Sequence, residues 1–152
     1  MKLRLVAVGR LRDPSVAALA HDLRRRLPRY GPFEETEVDA AHGGDPARAV
    51  RDEGQRVLRA LPTGEPMWLL ERTGTQLSSP ELAARLADEA HATSRLTLVV
   101  AGAFGASEAL LERATFRWSL SRLTLLHEWA RLLVLEQLYR AAKISRNEPY
   151  HH

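Results

Sequence analysis

Residues Leu96–Tyr139 read LTLVVAGAFGASEALLERATFRWSLSRLTLLHEWARLLVLEQLY. The stretch opens with a short apolar run rich in β-branched residues, Leu96–Ala101, which ends in the turn Gly102–Gly105. A buried strand that feeds a glycine turn and then a helix, here from Ser107 onward, is a common way for an α/β sheet to open a ligand crevice. Two glycines are a weak signal alone, because most such turns only reverse the chain. The stretch thus predicts a buried strand and a candidate crevice beyond its end.

The second half of this stretch predicts a helix, Glu128–Lys143, that follows a segment of mixed strand and loop character, Leu120–His127. Its apolar residues leave no wide polar face: Trp129, Leu132, Leu133, Val134, Leu135, Leu138 and Ala142. A surface helix carries an apolar stripe, so this helix is expected to be covered on two sides, the second cover coming from another subunit. One turn apart, Glu136 and Arg140 are expected to form an ordinary helical ion pair.

The rest of the chain alternates between strand and helix patterns. Predicted strands lie at Leu3–Val8, Phe33–Val38 (an edge strand) and Met67–Leu70, the last followed by a polar loop, Glu71–Ser78. Helix starts are marked by Asp13-Pro14, by Pro46 and by a capping box of Ser78 with Glu81. The resulting βαβαβαβα order predicts an α/β fold, a mainly parallel sheet with helices on both faces, in a single domain over residues 1–152.

Composition bounds the class of protein. The chain has no cysteine, and its six histidines lack ligand spacing apart from His151-His152, so no metal site is predicted. No apolar run reaches membrane-span length, and the start MKLRLVAVG is too short for a signal peptide, which predicts a cytoplasmic protein. The net charge is +3, almost all of the positive charge being arginine, which suits a nucleic-acid partner but also fits biased genomic composition. The densest basic cluster is Arg24–Arg26 with Arg29, usually a solvated face and less often a phosphate contact, and Arg24–Arg26 and Arg131 are the candidate contacts to RNA phosphates.

Three segments follow predicted parallel strands and are therefore candidates for a ligand site: Leu70 with its loop, Ala101–Gly105 and Ser121–His127. None contains a P-loop, a full dinucleotide fingerprint, a serine elbow or a carboxylate pair at acid–base spacing. The residues alone therefore indicate a small α/β ligand-binding domain.

A family resemblance extends this reading over the whole chain, most specifically over its C-terminal third. It rests on Val99–Gly105, Trp118–Ser121, Leu123–His127, Arg131, Glu136–Ala141 and Asn147–His151. In these segments the chain resembles the bacterial large-subunit ribosomal RNA pseudouridine N3-methyltransferases of the SPOUT class. The resemblance implies an α/β fold with a C-terminal trefoil knot, a homodimer, S-adenosylmethionine as cofactor and N3-methylation of a pseudouridine in large-subunit ribosomal RNA.

The resemblance also implies site residues. The cofactor-binding residues would be Leu70, Gly102, Ser121, Arg122, Leu123, Thr124, Leu125 and Leu126, and a side chain at position 102 is expected to enter the ligand's path. The catalytic residues would be Tyr150 and His151, with His127 and Glu136 as supports. From residue patterns alone, plain core packing explains Leu70 and the apolar residues of the loop equally well.

Two other functions fit the same sequence. One is a SPOUT methyltransferase that acts on a different RNA, such as a transfer RNA. The other is a non-enzymatic ribosome- or RNA-binding module that has lost its cofactor. The evidence for the latter would be two departures from the family pattern, Ala101 where relatives have glycine and His152 where lysine or arginine is usual. A third departure, Leu126 where proline is common, would loosen the loop.

Overall fold

A computed structural model describes residues 1–149, so Tyr150, His151 and His152 lie outside the described residues. Strands are β1 (Lys2–Val8), β2 (Phe33–Val38), β3 (Met67–Gln76), β4 (Arg95–Val100) and β5 (Phe116–Ser119). Helices are α1 (Pro14–Arg26), α2 (Pro46–Ala60), α3 (Ser79–Ala92), α4 (Glu108–Arg113) and α5 (His127–Ser145), with a 3₁₀ turn at Leu27–Tyr30. Within residues 1–149, no helix combines the length and the apolar character needed to cross a membrane.

All paired strands of the sheet are parallel, and their order is β2-β1-β4-β3-β5. Leu3 of β1 aligns with Phe33 of β2 on one side and with Leu96 of β4 on the other. Because the strands are parallel, the loops after β3, β4 and β5 leave the same edge of the sheet. Any site built from those loops must lie at that edge.

Two apolar layers cover the sheet, as the alternating strand residues require. Helices α1, α3 and α5 cover one face, where Trp68 and Leu98 are fully buried. The other face carries α2 and α4, which pack through Val57 and Leu110 onto strand residues such as Val99. The predicted α/β architecture with helices on both faces is confirmed.

Most helix starts are where the sequence places them. The Asp13 side chain accepts hydrogen bonds from Ser15 N and Val16 N, with Pro14 in the first turn of α1. Ser78 and Glu81 form the predicted capping box of α3, and the hydrogen bond from the Ser78 backbone holds the pKa of Glu81 below its usual value.

Two strand predictions are wrong. The segment after Leu70 is not a loop: β3 continues to Gln76 with an irregularity, because Leu70 and Thr75 both align with Trp118. Strand β5, which ends before the segment expected to have strand character, was not predicted at all. The backbones of β3 and β5 lie so close together that a Cβ on Gly74 of β3 would be 2.5 Å from the carbonyl oxygen of Arg117 in β5. Only glycine therefore fits at position 74.

Candidate cofactor cleft at the carboxyl ends of the strands

A cleft of about 480 Å³ opens beyond the carboxyl ends of β3, β4 and β5. Its volume lies in the range of small-molecule sites in proteins, about 300–1,000 Å³. It is lined by Leu70, Glu71, Arg72, Val100–Ala106, Trp118, Leu120, Ser121, Leu123, Thr124, Leu125, His127 and Ala130. The three segments that the sequence nominated therefore meet in one place.

Six of the eight predicted cofactor residues line this cleft: Leu70, Gly102, Ser121, Leu123, Thr124 and Leu125. Arg122 and Leu126 belong to the same loop but do not line the cleft, and both are exposed. His127 lines the cleft, whereas Glu136 lies about two and a half helical turns away in a 2.7 Å ion pair with Arg140. The predicted catalytic residues Tyr150 and His151 lie outside the described residues.

The turn after β4 is closed by its own backbone. Gly105 N donates to the Gly102 carbonyl oxygen at 3.1 Å, and Gly105 has φ +92°, a left-handed conformation that favours glycine. This closure presents Ala103 and Phe104 at the tip of the turn, and both line the cleft.

The loop after β5 is tied to the irregular part of β3. Ser119 Oγ lies 2.9 Å from the carbonyl oxygen of Arg72 and 3.0 Å from that of Ser121. Ser121 Oγ in turn accepts a hydrogen bond from Leu123 N at 3.0 Å. These contacts hold the backbone of the loop after β5 against the irregular part of β3.

A buried carboxylate, Glu53 of α2, supports the glycine turn from the far side. Glu53 Oε2 accepts from Ala41 N at 3.0 Å, while Oε1 is buried with no hydrogen-bond partner among the described residues. A Cβ on Gly102 would lie 2.8 Å from Glu53 Oε1 and 3.1 Å from Val8 Cγ1. The expectation that a side chain at position 102 enters the cleft is therefore wrong, because its Cβ points toward α2.

Sequence reasoning missed Glu53, although a signal existed. Glu53 stands three residues after Val50 and four before Val57, which places it on the apolar face of α2. A carboxylate on an apolar helix face is unusual and indicates a buried group with a specific role.

Arg131 is buried, with 3% of its side chain exposed, and it is not available to RNA as the sequence suggested. It pairs with Glu35, donates to Glu37 Oε2 at 2.7 Å and donates to the Gly9 carbonyl oxygen at 3.2 Å. One turn earlier, Glu128 Oε1 accepts from Arg12 N at 2.7 Å. The start of α5, which forms one wall of the cleft, is thus fixed to β2 and to the loop after β1.

The C-terminal end of α5 carries an anchor for the tail. Asn147 has φ +54° and Glu148 N donates to the Lys143 carbonyl oxygen at 2.9 Å, the bond that marks a Schellman-type helix end. The Glu148 carboxylate accepts from Lys143 Nζ at 2.7 Å and from Tyr30 Oη at 2.9 Å. These two hydrogen bonds, with that from Lys143 the larger effect, hold the pKa of Glu148 below its usual value.

A parallel sheet with a cleft of small-molecule size at its carboxyl edge is typical of the α/β class of ligand-binding proteins. The chain matches the family model described as "Predicted SPOUT methyltransferase" over residues 1–151, and it belongs to that family.

Relatives of the same length agree with this family. The chain is 42% identical to a protein named ribosomal RNA large subunit methyltransferase H from Gloeobacter violaceus, over 100% of this chain and 99% of that protein. It is also 42% identical to a protein of the same name from Syntrophotalea carbinolica, over 99% of each chain. A crystal structure of a tRNA (m1G37) methyltransferase from Aquifex aeolicus superposes with a TM-score of 0.53 at 15% identity, covering 100% of this chain and 75% of the other, which supports the fold.

Proposed function

We propose that this SPOUT methyltransferase transfers a methyl group from S-adenosylmethionine to N3 of a pseudouridine in large-subunit ribosomal RNA, in the cytoplasm. The observation that carries the proposal is the cleft lined by β3 and by the loops after β4 and β5, in a chain 42% identical to relatives named for ribosomal RNA methylation.

The cleft suits S-adenosylmethionine by size and by the chemistry of its lining. Leu70, Trp118 and Leu125 offer apolar walls for a flat base, and Ser121 and Thr124 supply hydroxyl groups beside the main-chain donors and acceptors of two tight loops. Apolar walls with a few convergent polar groups are typical of such sites. These residues would hold the cofactor, which when bound supplies an electrophilic methyl group. A C-terminal trefoil knot, as the family resemblance implies, would place the loop after β5 against β3 and the loop after β4.

The chain's own residues must orient the base and remove its imide proton, because the neutral imide nitrogen is a poor nucleophile. His127 lies at the cleft and is one candidate to receive this proton. We assign the main role to Tyr150 and His151, which follow the anchored residue Glu148 by only two and three positions. Deleting residues 150–152 should abolish methyl transfer while leaving the thermal midpoint and cofactor affinity nearly unchanged. Full activity of the truncated protein would move the proton chemistry to His127.

We also propose a homodimer in which two copies of α5 pack together. In the single chain one side of α5 is covered by α1 and α3, whereas the side chains of Trp129 and Leu133 are 53% and 40% exposed. Within one chain, α1 and α3 therefore cover only one of the two sides of α5 that the sequence predicts to be buried. The same helix of a second copy would cover the other side.

The cofactor site is tested by filling the cleft. Ala103→Trp places a large ring in the cleft and should weaken S-adenosylmethionine binding, measured by calorimetry, by more than about tenfold. Ala87→Trp, on the exposed surface of α3, is the matched control and should bind like the unmodified protein. Equal cofactor affinity in both variants would remove the assignment of this cleft.

The substrate is tested by incubating the protein and labelled S-adenosylmethionine with whole ribosomes, isolated large subunits, deproteinised ribosomal RNA and transfer RNA. Label in large-subunit RNA, at N3 of a pseudouridine by mass spectrometry, is the expected result. Label only in transfer RNA would replace the proposed substrate. The absence of both cofactor binding and label would favour a non-enzymatic RNA-binding module.

A further inference from the structure

Side-chain contacts distinguish two groups among the arginines of this protein. Many are held by carboxylates: Arg4 by Glu34, Arg24 and Arg131 by Glu35, Arg25 and Arg26 by Asp22, Arg48 by Asp52, Arg95 by Glu65 and Arg140 by Glu136. The basic cluster Arg24–Arg26, a candidate RNA contact from the sequence, belongs to this paired group.

A second group of exposed arginines has no hydrogen bond, ion pair or ring contact from the guanidinium to any of residues 1–149: Arg10, Arg12, Arg29, Arg51, Arg59, Arg72 and Arg122. Arg29 precedes β2, at the opposite edge of the sheet, and Arg59 lies in the last turn of α2. Arg51, in the second turn of α2, lines a separate pocket that it shares with Phe104. The other four follow or lie on strands that end at the cleft edge.

These four arginines flank the cleft on two sides. Arg72 lines the cleft from β3, and Arg122 stands three residues after the end of β5. Arg10 and Arg12 follow β1, which lies on the other side of β4 in the sheet order. Because the strands are parallel, all four reach the same edge of the molecule.

The loop that carries Arg10 and Arg12 is held against the cleft wall. Arg12 N and Asp13 N donate to Glu128 Oε1 at 2.7 and 3.1 Å, and the Gly9 carbonyl oxygen accepts from Arg131. The first residue of α5, His127, adjoins Glu128 and lines the cleft. Backbone contacts thus fix this loop beside the cleft while its two guanidinium groups stay free.

An unpaired guanidinium at the surface is a ready partner for phosphate, which it binds through two parallel hydrogen bonds. The carboxylates of Glu128 and Glu71, which lie in the same region, are not paired with these arginines: Glu128 accepts from backbone N–H groups and Glu71 accepts from Thr73 N at 2.8 Å. The four guanidinium groups are therefore free to contact a phosphate directly, unlike those of the paired arginines elsewhere.

An exposed aromatic ring lies within the same rim. Phe104, at the tip of the turn Gly102–Gly105, has 64% of its surface exposed and lines the cleft. Positive side chains along a groove with an aromatic ring between them are the usual means of binding single-stranded nucleic acid, the ring stacking on a base.

We propose that Arg10, Arg12, Arg72 and Arg122 form a phosphate-binding rim that seats an unpaired RNA segment over the cleft, with Phe104 stacking on a base of that segment. This inference rests on the proposed function, and it moves the side chain of Arg122 from the cofactor to the RNA. It also replaces Arg131 and Arg24–Arg26 as the RNA contacts expected from the sequence.

The test measures binding to deproteinised large-subunit ribosomal RNA across a series of potassium chloride concentrations. Each double variant, Arg10→Ala with Arg12→Ala and Arg72→Ala with Arg122→Ala, should lower RNA affinity about tenfold. The slope of log affinity against log salt should fall by about 1.5 in each, because two phosphate contacts are lost. Phe104→Ala should weaken binding about tenfold with an unchanged slope, and Phe104→Tyr should restore it, because the stacking ring carries no charge.

The matched control is Arg25→Ala with Arg48→Ala, which removes the same charge from two exposed arginines that are paired with carboxylates on their own helices. It should bind RNA like the unmodified protein. If the control and the rim variants lose the same affinity, or if no rim variant loses any, the rim is not the RNA contact.

Calorimetry with S-adenosylmethionine separates this result from a failure of the proposed function. Arg10→Ala with Arg12→Ala should retain cofactor affinity while methyl transfer to the RNA falls. A protein that binds no cofactor but whose rim variants still lose RNA affinity would refute the proposed methyl transfer and support the rim. If the protein binds the cofactor normally and the rim variants bind RNA as tightly as the unmodified protein, the rim is refuted and the proposed function stands.

Discussion

The space around Gly102 decides which substitutions the turn after β4 can accept, because a single added Cβ would collide with a neighbour. A Cβ there would lie 2.8 Å from Glu53 Oε1, closer than real Cβ contacts, and Glu53 is buried against the sheet. We expect Gly102→Ala to lower the free energy of unfolding by about 1–3 kcal/mol, because overpacking a close contact forces neighbours to shift. Gly102→Asp should cost more, since it adds a carboxylate beside a carboxylate.

Urea denaturation checks this, with Ala103→Ser at the exposed tip of the same turn as the control. The double variant Gly102→Ala with Glu53→Ala should recover part of the loss if the clash is with Glu53. A Gly102→Ala protein of normal stability that fails to bind S-adenosylmethionine would instead place that side chain in the cleft.

Arg131 carries the second prediction at this scale. Its side chain is 3% exposed and faces Glu35, which is 5% exposed, so removing the guanidinium strands a buried carboxylate. We expect Arg131→Ala to lower the free energy of unfolding by about 3–5 kcal/mol, the usual effect of breaking a buried pair. Glu37→Ala is the comparison, because Glu37 is 42% exposed and water can replace its partner. If urea denaturation shows the same small decrease in the free energy of unfolding for both variants, the Arg131 ion pairs behave as solvent-exposed pairs.

At the scale of elements, the sequence predicts those parts whose signals are local. The caps Asp13 and Ser78 and the apolar period of the helices depend on neighbours within one turn, so the sequence pattern is sufficient to place α1 and α3. Strand β5 is four residues long and carries an exposed Arg117 between Phe116 and Trp118, so it lacks the apolar run of a buried strand. The extension of β3 past Leu70 depends on pairing with β5, a non-local contact that no local pattern reports.

The exposed face of α5 carries the prediction that belongs to this scale. Replacing Trp129 and Leu133 by glutamate should leave the chain folded and convert it to a monomer, because charges would replace the apolar side chains that we place at the interface. Light scattering at micromolar concentration measures the mass. Glutamate at Ala84 and Ala87, exposed positions of α3, controls for added charge and should leave a dimer. A monomeric mass for the unmodified protein would contradict the proposed interface directly.

For the whole molecule, the sequence predicts where the cleft lies but predicts less well which side chains form it and what they contact. Parallel strands bring the irregular part of β3 after Leu70 and the loops after Val100 and Ser119 to one edge whatever their residues, so the cleft follows from topology. The partners of Glu53 and Arg131 are 12 and 96 residues away in the chain, and the sequence does not show which groups such contacts bring together. For the same reason, the sequence does not distinguish the unpaired arginines at the cleft from the arginines that carboxylates hold elsewhere.

The contact between Glu148 and Tyr30 joins positions 118 residues apart, and it gives the molecule a pH dependence with a definite sign. The pKa of Glu148 is lowered, first by the hydrogen bond from Lys143 and then by that from Tyr30. Lys143, in turn, has its pKa raised, chiefly by Glu148. A lowered carboxyl pKa stabilises the folded state above the unfolded value of about 4.3, and this contribution is lost as the pH falls through the folded pKa. The raised Lys143 pKa adds stability below about pH 10.4 that is lost as the pH rises through the folded value.

We therefore expect the anchor to be complete between about pH 5 and pH 10 and to weaken in acid. Glu148→Gln should lower the thermal midpoint at neutral pH, and the difference from the unmodified protein should shrink as the pH falls below about 4. Thermal unfolding across a pH series measures this, with Glu108→Gln, an exposed first-turn residue of α4, as the control for loss of one carboxylate. Because residues 150–152 follow the anchor directly, Glu148→Gln should also reduce methyl transfer, by about tenfold if the tail is mispositioned by a fraction of an ångström. A midpoint difference that grows toward acid would show that Glu148 is not held ionised by Lys143.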